Sequence, residues 1–260
     1  HLLAADPARM DRLGAAAATR EALNRPTLVR SRQSRALREG TPLMFSDDGN
    51  PDVVRPIGLG LGLLASVGLL AWTTAVAAGG VPTWEERLFD RGNQLADWME
   101  PVLWAPMQIG NLLAPPLVAL VAWMAWHKWR PAVGAVVVGL LVWLSSRVLK
   151  DVVARGRPSE VLDEIVWRGG TPTSGFGFVS GHAAVAFGLA TALCPYLNSP
   201  LRLVAYLLAV LVAVARVHVA AHLPLDVLGG AALGVAVGLA YHLIVGIDAR
   251  SGERTGRVRF

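Results

Sequence analysis

The sequence predicts an all-α fold, an integral membrane bundle of six transmembrane helices, and three observations carry that prediction. Apolar residues make up 53% of the chain and charged residues only 17%, where an ordinary soluble domain carries about 25% charged residues. The mean hydropathy is +0.46. Apolar runs close to the roughly 20 residues that cross a hydrocarbon core recur from residue 56 onward. A lipid bilayer is therefore the expected solvent.

In chain order, residues 1–50 form an amino-terminal arm. It holds an alanine-rich helical stretch over 7–23, a basic stretch with Arg30, Arg32, Arg35 and Arg38, and a turn-rich linker, Asp47-Asp48-Gly49-Asn50-Pro51. The arm lacks the apolar core of a signal peptide. Because the chain begins at His1, a fragment of a longer protein is one expectation. Residues 51–250 form the membrane domain, with spans expected at 56–79, 106–126, 131–149, 182–197, 203–221 and 226–247, the fourth being the shortest. Residues 251–260 are a basic tail.

Lysine and arginine fall in alternate connections. The arm, His127-Lys128-Trp129-Arg130, Arg202 and the tail (Arg250, Arg254, Arg257, Arg259) are basic, whereas the first connection holds Glu85, Glu86, Asp90, Asp97 and Glu100 against Arg87 and Arg91. The positive-inside rule places both termini in the cytoplasm and connections one, three and five outside. Residues 85–105 read as an amphipathic helix in the outer interface or as a solvated loop. Abundant alanine, glycine and arginine point to a bacterial plasma membrane. The net charge of +5 lies in tails and short loops, so it fits a membrane surface and not a nucleic acid partner. The single cysteine, Cys194, excludes an intramolecular disulfide and a cysteine metal cluster.

Polar residues interrupt the apolar pattern at three places: Lys150 to Pro158 after the third run, Ser180-Gly181-His182 at the start of the fourth, and Arg216 to Asp226 between the fifth and sixth. Two spans separate connections three and five, so topology brings all three clusters to one membrane face. Ionisable groups at that depth are costly and usually functional. Lys150, Arg157 and Arg216 can surround a phosphate, the arginines with bidentate donors. Ser180 stands as a helix cap that aims the Gly181 and His182 amides at the same anion. His222 and Asp226, four residues apart, share a helix face, so the carboxylate can hold the imidazole in one tautomer. His182 offers a second imidazole that can protonate a departing alkoxide. His218 is assigned to packing or substrate contact. Three cations at the cluster oppose a divalent metal, and none is expected.

These residues resemble the three-part signature of the type 2 phosphatidic acid phosphatase superfamily, K-x6-R-P, P-S-G-H and S-R-x5-H-x3-D, which also covers the vanadium haloperoxidases. Two positions depart from it: Val179 stands for proline and Ala215 for serine. Val179 is expected to loosen the turn before Ser180, and Ala215 to remove a hydrogen bond to phosphate. The resemblance implies that His222 attacks phosphorus to form a phosphohistidine, Asp226 orients it and His182 protonates the leaving group. Lys150, Arg157, Ser180, Gly181 and Arg216 would bind the phosphate. It implies a metal-independent lipid phosphate or polyprenyl diphosphate phosphatase with no cofactor and an extracytoplasmic site. The haloperoxidase branch is disfavoured because its members are soluble. The competing expectation is a noncatalytic lipid-phosphate-binding membrane domain of a larger polypeptide.

Overall fold

The computed structural model describes residues 43–46, 53–172 and 174–248. The arm helix over 7–23, the basic stretch, the 47–51 linker and the arginines of the tail lie outside the described residues. The chain divides into two units, residues 1–57 and 58–260. In the first, β1 (Leu43–Ser46) pairs antiparallel with β2 (Val53–Pro56), setting Ser46 opposite Val54.

The second unit is helical. Its elements are α1 (Ile57–Ala78), α2 (Thr83–Asn93), α3 (Met99–Met107), α4 (Ala114–Trp126), α5 (Trp129–Val153), the single turn α6 (Pro158–Val161), α7 (Gly181–Leu193), α8 (Ser199–His218) and α9 (Pro224–Val245). A two-residue extended piece, Ile247–Asp248, follows α9. Among the described residues, four helices are long and apolar enough to cross a membrane, and a fifth crossing arises if the bent pair Met99–Gly110 and Ala114–Trp126 counts as one. Four of the six expected runs form such helices, and the runs over 106–126 and 182–197 take other forms.

The run over 106–126 is not one helix. Its two halves meet at 79°, because Pro115 and Pro116 lack amide donors and belong at a helix start, where none is needed. The break has a structural use. A Cβ on Gly110, in the turn between the halves, would come within 2.6 Å of His182 Cβ, so glycine lets the break pack directly on the first turn of α7.

The run over 182–197 yields a helix of only 13 residues, α7, about 20 Å long at 1.5 Å per residue against a core of roughly 30 Å. It is the hub of the bundle, packed by α9, α5 and α8. Ala183, Ala184, Leu189 and Ala192 are buried, whereas α1 turns Leu61, Leu64 and Trp72 outward. A short helix is tolerable where neighbouring protein, not lipid, surrounds it.

The tightest seam joins α9 to α7. Gly230, Gly234 and Gly238 recur at every fourth residue, and a Cβ on Gly234 would overlap the Ala184 carbonyl oxygen, one on Gly230 the Ser180 carbonyl oxygen, and one on Gly238 would lie 2.7 Å from Thr191 Cβ. Small residues at this spacing let helix backbones approach closely in a membrane. The seam fixes the start of α7 against the start of α9. Gly234→Ala is expected to destabilise the bundle by about 1–3 kcal/mol, since its methyl meets backbone that cannot rotate away; thermal unfolding in detergent measures it, and an unchanged melting temperature contradicts the seam.

Candidate active site

Four helix ends meet on one side of the bundle: the end of α5 with Lys150, the start of α7 with Ser180, Gly181 and His182, the end of α8 with Arg216, and the start of α9 with Asp226. Alternation of direction along the chain produces this, since α5 and α8 finish where α7 and α9 begin. Lys150, Arg157, Arg216 and His182 all lie within electrostatic reach of His222. The sequence-selected residues are therefore gathered in one place.

His222 sits in the short link between α8 and α9. The link turns sharply: Ala220 adopts φ +51°, the Arg216 carbonyl accepts from the Ala221 and His222 amides, and Pro224 opens α9. His222 and Asp226 are buried, with His222 Nδ1 3.5 Å from Asp226 Oδ2. Nε2 is thus the nitrogen left to face the cations. Burial, then the nearby Arg216, Lys150, Arg157 and His182, hold the imidazole pKa well below its ordinary value of 6.5. Near neutral pH it is uncharged, with a lone pair available.

Asp226 is held from several directions. Its Oδ1 accepts from Arg155 Nη1 at 3.0 Å and its Oδ2 from the Leu223 amide at 2.9 Å. Its backbone carbonyl accepts from the Ser180 amide at 2.8 Å, which ties α9 to the cap of α7. Ser180 Oγ accepts from the Ala183 amide at 3.5 Å and its carbonyl from the Ala184 amide at 3.0 Å. The first two amides of α7, on Gly181 and His182, remain at the positive end of the helix, a ready anion site.

The cations are anchored by the loop that precedes α7. Lys150 Nζ donates to the Phe176 carbonyl at 2.7 Å and the Gly177 carbonyl at 3.1 Å. Arg157 Nε donates to the Ser174 carbonyl and Nη1 to the Ala221 carbonyl, each at 2.8 Å. Lysine has three donors and arginine five, so both keep N–H groups for a ligand. Arg216 is buried with Nη1 3.4 Å from Met107 Sδ, and its Nε has no protein partner.

Other histidines and both departures find structural places. His218 turns away, its Nδ1 3.2 Å from the Gly92 carbonyl oxygen, and His242 Nε2 lies 3.1 Å from the Thr191 carbonyl oxygen far along α9. Val179 is fully buried in the main core, and the flanking turn carries hydrogen bonds from Gly177 N to the Arg155 carbonyl and from Ser180 N to the Asp226 carbonyl. Ala215 packs in an apolar cluster with Leu103, Met107 and Val219.

Sequence reasoning missed Glu85 and Arg155. Arg155 donates to both oxygens of Glu85 and to Asp226, and all three are buried. Arg155 stands inside the first polar cluster, two residues before Arg157, which was a usable signal. Glu85 carried none, as one acid among five in an amphipathic segment. Among the described residues, no group of three or more His, Cys, Asp or Glu side chains is arranged to hold a metal ion.

The sequence profile of the PAP2 superfamily matches residues 128–248, which include every sequence-selected residue of this site. The segment that carries the site, residues 128–248, belongs to the PAP2 superfamily. Its fold is similar to that of a transmembrane PAP2 type phosphatidylglycerolphosphate phosphatase from Bacillus subtilis, at 21% identity and a TM-score of 0.53 over 75% of this chain and 98% of the other. It is similar also to Aquifex aeolicus LpxE, at 23% identity and a TM-score of 0.50 over 59% and 92% of the two chains. No curated protein matches the sequence. With helices long and apolar enough to cross a membrane on a fold similar to that of a transmembrane protein, the chain is an integral membrane protein.

Proposed function

We propose that this protein is a lipid phosphatase that releases phosphate from a lipid phosphate or a polyprenyl diphosphate through a phosphohistidine. The observation that carries the reading is the buried His222–Asp226 pair lying beneath Lys150, Arg157 and Arg216, which come from three different helix ends. His222 Nε2 attacks phosphorus while the bond from phosphorus to the lipid oxygen breaks, and His182 gives that oxygen its proton. Water then attacks phosphorus, the P–N bond breaks and inorganic phosphate leaves. The three cations and the first amides of α7 stabilise the equatorial oxygens in both steps. Asp226 faces Nδ1 and balances the positive charge on the phosphorylated imidazole.

A lipid substrate is supported by an apolar groove of about 470 Å³ between α2, α8 and α9, lined by Trp84, Leu88, Val210, Val214 and Leu228, which reaches Pro224 and Leu225 beside Asp226. Its lining suits a hydrocarbon chain. We place α7 and the bent α3–α4 pair as the remaining two of six crossings. Basic Lys128, Arg130 and Arg202 mark the cytoplasmic end, which puts the site on the extracytoplasmic face. Three cations supply the charge that a metal brings to other phosphatases. Purified protein in detergent is therefore expected to release inorganic phosphate from lipid phosphates and diphosphates at an undiminished rate in EDTA. Failure across a broad panel rejects the reading, and binding without turnover favours a noncatalytic lipid-phosphate binder.

A further inference from the structure

We infer that Glu85, on the interfacial helix α2, is a positioning residue for catalysis: through Arg155 it sets the charge of Asp226 and hence of His222. The inference rests on the proposed phosphohistidine mechanism and goes beyond it, because Glu85 lies outside residues 128–248, the extent of the family profile.

The geometry is a buried chain of four groups. Arg155 Nη1 bridges the two carboxylates, 3.0 Å from Glu85 Oε1 and 3.0 Å from Asp226 Oδ1. Its Nη2 donates to Glu85 Oε2 and to the Gly80 carbonyl at 2.9 Å. Glu85 Oε1 also accepts from the Leu225 amide at 2.8 Å, so the same carboxylate grips the first turn of α9. Each carboxylate oxygen of the pair accepts a hydrogen bond from the protein, Asp226 Oδ2 from the Leu223 amide while also lying 3.5 Å from His222 Nδ1. Buried charges persist only when paired and hydrogen-bonded in this way.

The charge count gives the arrangement its direction. With Arg155 alone, Asp226 would be neutralised and would offer little to a cationic imidazole. Glu85 occupies much of the arginine and leaves the trio Glu85, Arg155 and Asp226 at a net charge of −1. That charge matches the imidazolium formed when His222 becomes phosphorylated. Lys150, Arg157, Arg216 and His182 face His222 from the other elements and favour the opposite outcome. Without Glu85 the cations prevail.

Helix α2 is built to deliver this group. Glu85, Phe89 and Asn93, at every fourth residue, form its buried stripe, while Trp84 and Leu88 are half exposed. Asn93 secures the far end, bonding the Val166 and His218 carbonyls at 3.0 and 2.9 Å. A helix that merely covered the bundle would bury its tryptophan and leucine and expose its glutamate.

The test compares wild-type protein with Glu85→Gln, Glu85→Asp and Arg155→Lys, by steady-state kinetics on a lipid phosphate that wild-type protein turns over and by melting temperature in detergent. Glu85→Gln is expected to lower kcat about tenfold with KM within twofold, and to move the acidic limb of the kcat/KM profile to lower pH, because the imidazole loses negative charge nearby. Glu85→Asp restores part of kcat. Arg155→Lys, which keeps the charge but lacks the planar fork that reaches Glu85, Gly80 and Asp226 together, lowers kcat with the acidic limb left in place. If Glu85→Gln turns over like wild type, or slows with no movement of the acidic limb, positioning is refuted and the phosphatase reading stands. Should Glu85→Gln not fold, Arg155→Lys decides by its kcat, a wild-type value refuting positioning, and loss of fold in both assigns the chain of charges to stability alone. Absence of turnover in wild type refutes the underlying reading instead.

Discussion

His222→Ala is expected to lower phosphate release at least about 10,000-fold while the protein still binds the lipid phosphate, because the loss of a covalent nucleophile is among the largest single effects in catalysis. The split between binding and turnover follows from geometry. Lys150 and Arg157 are anchored on the carbonyls of Ser174, Phe176, Gly177 and Ala221, and Arg216 on α8 is packed against Met107. None of the three depends on the imidazole for its position. Removing it deletes the atom that attacks phosphorus and leaves the anion site standing. Single-turnover measurements with a radiolabelled lipid phosphate test this, together with acid-labile label on the wild-type chain. Label retained on the variant, or turnover within tenfold of wild type, assigns the nucleophile elsewhere.

Asp226→Asn should cost about 1,000- to 10,000-fold in kcat, for a different reason. The amide is the size of the carboxylate, so its oxygen can take the Oδ1 place and keep the bond from Arg155, which leaves the nitrogen in the Oδ2 place, where Leu223 loses its acceptor. What changes is the group facing His222 Nδ1, 3.5 Å away. An amide nitrogen there asks Nδ1 to accept, which moves the proton to Nε2 and blocks attack. Replacement of a carboxylate that orients a catalytic histidine has a cost of this size in the Ser-His-Asp enzymes, where the wrong tautomer is the accepted cause. The loss should appear in kcat, with the melting temperature lowered only by the one bond lost from Leu223. A drop confined to KM would instead assign Asp226 to phosphate binding.

Much of the site was legible because its groups violate the local rule. Lys150, Arg157, Arg216, His222 and Asp226 interrupt runs that otherwise belong in lipid, and a spacing of four places His222 and Asp226 on one face of a helix start. Convergence followed from counting spans between the clusters. The helices themselves were legible from apolar length, yet their crossings were not. Length says nothing about whether a run is bent by Pro115 and Pro116 or surrounded by protein, as α7 is. Glu85 was hidden for a related reason. Amphipathic pattern predicts that a charged residue faces water, and only the docking of α2 against α9 reverses it.

The residue order alone therefore determined the solvent of this protein, the number of polar clusters and the end of the bundle at which they meet, because hydrophobicity and helical period are properties of neighbours along the chain. Tertiary structure alone decided that α7 is a short central helix, that glycines on α9 bring it within backbone contact, and that Glu85 reaches Asp226 through Arg155. Those facts depend on distances between segments far apart in sequence, where shape and buried charge, not periodicity, select the partner.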